Sequence, residues 1–151
     1  MKTIFRGILV AFALALAASP ALAAEKTASH RIAIQVSQND PERMNLALLN
    51  AANAIKYYSG KGESIEVEVV AYGPGLNMLR EDTSPVKDRI KSLKASDIGG
   101  EMHFSACHNT KEAMEKREGH PITIVPEATV VPSGVVRLTQ LQEQGWSYIR
   151  P

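Results

Sequence analysis

A single cysteine, Cys107, serves the whole chain, and that scarcity excludes an internal disulfide framework. Charge of one sign is also missing. Seventeen basic residues face 16 acidic ones, for a net charge of +1. No basic stripe with interleaved aromatics occurs, so the electrostatic footprint of a nucleic-acid binder is absent. The glycine-rich phosphate signatures G-x-G-x-x-G and G-K-[ST] are missing, as are C-x-x-C, H-x-x-x-H and G-x-S-x-G. Nucleotide, zinc and serine-hydrolase chemistry therefore have no motif to stand on. Heme and flavin have none either, and no cofactor is expected.

Long apolar runs are restricted to one, Ile8 to Ala18. It follows the positive residues Lys2 and Arg6 and precedes Ala21-Leu22-Ala23. That order of charge, apolar stretch and small residues is a secretory signal peptide. The run falls short of the roughly 20 residues a bilayer-spanning helix needs, and Pro20 stops it. Residues 1–23 are thus expected to be removed, leaving 24–151 as one soluble domain with no membrane segment. The short, alanine-rich leader is of bacterial type and predicts the periplasm.

In the remaining chain, β-branched segments alternate with helical spacing. Arg31–Val36, Ser64–Ala71 and Met102–Ala106 read as strands. At least one of Pro121–Val125 and Ala128–Val131 is another, and Trp146–Ile149 is a short last one, with Trp146 and Tyr148 on one face. A helix opens at Asp40-Pro41, a polar N-cap followed by proline at the first helical position. Met44, Leu48, Ala51, Ala52, Ile55 and Tyr58 carry it to Gly60 at helical spacing. Leu76, Met78 and Leu79 suggest a short helical turn. Ser84-Pro85 opens a helix bearing Val86, Ile90 and Leu93. Asn109 to Lys116 is helix-compatible, with Asn109 or Thr110 as its cap. Ser133-Gly134 caps a final helix with Val135, Leu138 and Leu141 on its apolar face, ended by Gly145. Strands alternating with helices predict a parallel sheet covered on both faces.

Ligands in such sheets gather beyond the carboxyl ends of the strands. Three loops lie there: Ser37–Pro41, which includes Asn39; Tyr72–Gly75, which includes Gly73; and Cys107–Thr110. At a strand-to-helix junction, backbone N–H groups and the helix dipole favour a thiolate at Cys107. His108 beside it would add positive charge or serve as a base. A buried free cysteine is equally a small apolar filler, and both readings stay open at this stage. His103, Ser105 and Cys107 share one strand face, so His103 and Cys107 together would ligate a cation if a third ligand came from elsewhere. A solvated or packed histidine is the simpler expectation, and no metal is assigned.

VAYGPGLNML, FSACHNT and VPSGVVRLTQLQEQGWSYIRP together resemble the DsrE/DsrF-like family, in particular its small, exported, single-domain members. The resemblance runs from about His30 to Pro151. It implies a three-layer α/β/α sandwich around a mostly parallel sheet of about five strands, and homo-oligomers, often trimers or hexamers. In the sulfur-relay members a cysteine at the end of a central strand carries sulfur as a persulfide, and Cys107 matches it by position. On that reading the Asn109 and Thr110 N–H groups steady the sulfur, Tyr72 and Gly73 line the approach, and a donor or acceptor protein is the partner. His108, Asn109 and Thr110 depart from the relay subunits. A non-catalytic oligomeric binding protein is the alternative. Redox protection through a sulfenic acid at Cys107 would need a resolving thiol from a partner.

Overall fold

The computed structural model describes residues 28–96 and 98–151. The expected signal peptide and its cleavage site, at residues 1–23, lie outside the described residues, as does the start of the polar lead-in. Among the described residues no helix is long and apolar enough to cross a membrane.

Five strands alternate with helices in chain order. They are β1 (His30–Val36), β2 (Ile65–Ala71), β3 (Glu101–Cys107), β4 (Thr129–Val131) and β5 (Ser147–Ile149). The helices are α1 (Pro41–Ser59), α2 (Lys87–Ala95), α3 (His108–Glu118) and α4 (Gly134–Glu143), with a 3₁₀ segment at Gly73–Leu79. The sheet order is β4-β3-β2-β1-β5, and every pairing is parallel. This is the expected α/β sandwich.

The two faces of the sheet are unequal. Ile34, Val36, Val67, Val69, Phe104 and Ala106 point to one side, where α1, α2, α3 and the 3₁₀ segment bury them in one cluster of 22 residues. Fully burying one such side chain is worth about 1.5–3 kcal/mol, so this face dominates the stability. Among the described residues the opposite face is covered by α4, through a cluster of five residues: Ala33, Val70, Leu138, Leu141 and Trp146.

Local signals set the start of α1. Asp40 caps α1 by accepting N–H bonds from Glu42 and Arg43, and Pro41 starts it. Gly75 lets the 3₁₀ segment cross the end of β1, since a Cβ there would lie 2.4 Å from the Val36 carbonyl oxygen.

Three expectations need correction, and a fourth is met. Helix α3 begins at His108 with Cys107 itself in the N-cap position, so neither Asn109 nor Thr110 caps it. Ser133 occupies the N-cap of α4 but makes no side-chain cap bond. Helix α2 starts only at Lys87, because the Ser84 hydroxyl bonds back to the Met78 carbonyl and holds the chain in a turn. Of the two apolar pieces around Pro126, Thr129–Val131 is the strand; Pro121–Val125 contributes a single antiparallel bridge, Arg80 with Ile124. Trp146 precedes β5, yet it is buried in the α4-side cluster as its predicted partner Tyr148 turns to Gln35 on the same side.

Candidate functional site around Cys107

Cys107 ends β3 and opens α3 in extended backbone, φ −69° and ψ 116°. Its side chain lies on the α4 side of the sheet and is 4% exposed. Four groups near the sulfur favour its charged form: the Thr110 hydroxyl and the N–H groups of Gly134, Thr110 and Asn109. They belong to the first turns of two helices, α3 and α4. Burial pushes the thiol up, and it is the largest single influence. The donors together outweigh it and hold the thiol below its ordinary value, because each favours the charged form. Two helix N-termini add their positive ends.

Thr110 is itself held in place. Its Oγ1 accepts the Gly73 N–H at 2.9 Å, which leaves the hydroxyl hydrogen free for the sulfur. Asn109 N–H also reaches the Pro132 carbonyl at 3.3 Å, tying the loop before α4 to α3. Tyr72, half-buried at the end of β2, packs its ring against Gly134. Its phenol is held above its ordinary value, first by burial and then by Tyr148; Arg150 opposes this, and Cys107 adds to it. The phenol therefore stays protonated where a thiolate forms.

The three predicted loops do converge. Asn39, Gly73, Asn77, Asn109 and Thr110 line one cleft of about 480 Å³ at the carboxyl end of the sheet. Asn39 accepts an amide hydrogen from Asn77 at 2.9 Å. Cys107 is not a wall of that cleft; Asn109 and Thr110 face both it and the sulfur. His108 does not join the site. It is exposed at the start of α3, with Glu112 and Glu115 one and two turns on, and does not take its expected role beside the thiol. Gly134 is the donor that sequence reasoning missed, because its approach depends on how the chain returns through β4.

The shared cation of His103 and Cys107 is not met. His103 lies four residues up β3, roughly 13 Å away at strand spacing. Its Nε2 sits 3.4 Å from Glu66 and 3.3 Å from Glu101. These three groups converge within 4.8 Å and are the set that would suit a divalent cation. Polar contact of the imidazole with a part-buried carboxylate, Glu66, and an exposed one, Glu101, accounts for the cluster without one.

The sequence model of the DsrE/DsrF-like family matches residues 30–151. Among solved structures, the protein of unknown function MTH1491 from Methanobacterium thermoautotrophicum is similar. It is 32% identical and superposes with a TM-score of 0.66, and the match covers 81% of this chain and 99% of that one. No curated protein matches.

Proposed function

The chain belongs to the DsrE/DsrF-like family, which ties it to sulfur-relay proteins, and on that premise we propose that it is a sulfur carrier with Cys107 as the persulfide-forming thiol. One observation carries the reading: Cys107 sits at the N-terminus of α3 and near that of α4, where the Thr110 hydroxyl and backbone N–H groups favour its thiolate. An apolar filler has no use for them. The thiolate attacks the sulfane sulfur of a persulfide or of thiosulfate. The donor's S–S bond breaks, its electron pair leaves with the departing thiolate or sulfite, and Cys107 holds the transferred atom as Cys–S–S⁻. A partner thiolate then attacks the outer sulfur and takes it, and Cys107 returns to the thiolate. No net oxidation or reduction occurs. The outer sulfur stands about 2 Å beyond the buried one, closer to an acceptor.

The reading includes export to the periplasm by residues 1–23, supported by the leader pattern, and a donor or acceptor protein as partner. It also includes homo-oligomers, trimers or hexamers. The thinly covered α4 side supports that, since Val135, Val136 and Tyr148 are exposed there. A second reading, an oligomeric binding protein with Cys107 as packing, draws on the 4% exposure of that residue and on the nearby cleft. Sulfur loading followed by intact mass, with Cys107→Ser alongside, separates the two. Loading that depends on Cys107 supports the carrier. No loading, with slow alkylation, supports the binding protein.

A further inference from the structure

Two charged side chains lie where the sulfur chemistry does not use them. Glu68, in the middle of β2, is 2% exposed. Arg137, in the first turns of α4, donates to it through Nε at 2.7 Å and Nη2 at 2.5 Å. Ser105, 4% exposed, donates its hydroxyl to the same carboxylate at 2.6 Å. With Glu68 buried and Arg137 32% exposed, the pair sets a modest Coulomb gain against desolvation of the carboxylate and adds little to stability. A bidentate fork supplies direction instead, because it fixes the guanidinium plane against the carboxylate.

Besides the Asn109 N–H on the Pro132 carbonyl and the Tyr72 contact at Gly134, helix α4 is thinly held. Its apolar anchorage is the five-residue cluster, against 22 residues on the other face, and Ser133 gives it no side-chain cap. Arg137 stands three residues beyond Gly134, a rise of about 4.5 Å. Ser105 stands two residues before Cys107 on the same face of β3, about 7 Å away. The carboxylate thus ties the first turn of α4 to the strand that carries the sulfur. We infer that the Glu68–Arg137 fork, braced by Ser105, is a positioning device that holds the first turn of α4, with its Gly134 N–H, beside the Cys107 sulfur. The inference rests on the reading of Cys107 as a reactive thiol.

The sign of the effect identifies the mechanism. The other charged or titratable groups around the sulfur are Tyr72 at the end of β2, with Tyr148 and Arg150 acting near it. His108 opens α3, with Glu112 and Glu115 one and two turns on. Glu68 and Arg137 together are neutral. Removing the Glu68 charge leaves Arg137 positive, which by Coulomb attraction alone favours the thiolate and lowers the thiol midpoint. Losing the Gly134 donor raises it.

The test is the pH dependence of Cys107 alkylation in the unmodified protein, in Glu68→Gln and in Glu68→Met/Arg137→Met, with folding checked by circular dichroism. Glutamine turns a donor toward the guanidinium and breaks the fork. The double methionine variant keeps the buried volume without direction. In both, the thiol midpoint is expected to rise by about half to one pH unit, with alkylation at neutral pH about three- to tenfold slower. A folded variant with an unmoved or lowered midpoint overturns the inference. So does a double variant that fails to fold, since the pair would then be a folding requirement. Sulfur loading by the unmodified protein with an unmoved midpoint in the variants overturns positioning alone. A raised midpoint in the variants with no sulfur loading at all overturns the carrier reading and leaves positioning intact.

Discussion

At Gly134 a methyl group would lie 2.8 Å from the Tyr72 Cβ and 3.1 Å from its ring. Glycine is there for room, not for an unusual backbone angle. Gly134→Ala is predicted to lose about 1–3 kcal/mol through overpacking and to alkylate Cys107 several-fold more slowly, because the first turn of α4 must back away from the sulfur. Denaturant unfolding and iodoacetamide kinetics check the two parts. Unchanged alkylation in a destabilised variant would remove Gly134 from the site. Cys107 was legible in the sequence as a strand-end thiol, since a β-rich run meets a helix-compatible one at that residue. Gly134 was not. Its N–H reaches the sulfur only after the chain has passed through α3 and β4, a distance no local pattern encodes. The same holds for Glu68. An acid inside SIEVEVVA announces its face of the strand but not its partner on α4.

Local signals mark the start of α1, whereas tertiary bonds set the segment leading to α2, where Ser84-Pro85 misplaces the start. Asp40-Pro41 specified α1 because both act within one turn. The start of α3 was displaced because the backbone turns helical directly after Cys107, ahead of the better capping residues. The segment after the 3₁₀ turn shows the second kind of determinant. Arg80, 6% exposed, binds Asp82 at 2.7 Å and Glu118 of α3 at 2.8 Å, joining the 3₁₀ end to the far end of α3. Hydrogen bonding to Arg80 is the main cause that holds the Asp82 carboxyl down at about 2. A carboxylate depressed on folding contributes stability that is present above its unfolded value near 3.8 and is lost as pH falls through about 2. Asp82→Asn is therefore expected to flatten the loss of thermal stability between pH 4 and pH 2. Since Asp82 is 46% exposed, the difference at neutral pH should stay below about 1 kcal/mol. Identical acid profiles for the two proteins would contradict this.

The whole molecule is a parallel five-stranded sheet with a heavy face and a light one. The alternation of strands and helices disclosed the sheet. The asymmetry stayed hidden, because sequence order does not say on which face each crossover helix lands. On the proposal that copies of the chain associate through the light face, light scattering should give a trimer or hexamer mass. Val136→Glu, at a position 52% exposed, should shift it to monomer with the fold intact; a native mass unaffected by the substitution would place the interface elsewhere. The light face also carries the sulfur, so the account as a whole turns on what Cys107 does. The most direct measurement is the intact mass of the protein after exposure to polysulfide or thiosulfate, with Cys107→Ser treated in parallel. The unmodified protein is predicted to gain the mass of added sulfur, a thiol reductant to remove it, and the serine variant to gain nothing. A protein that gains no sulfur, or gains it equally without Cys107, would contradict the carrier reading.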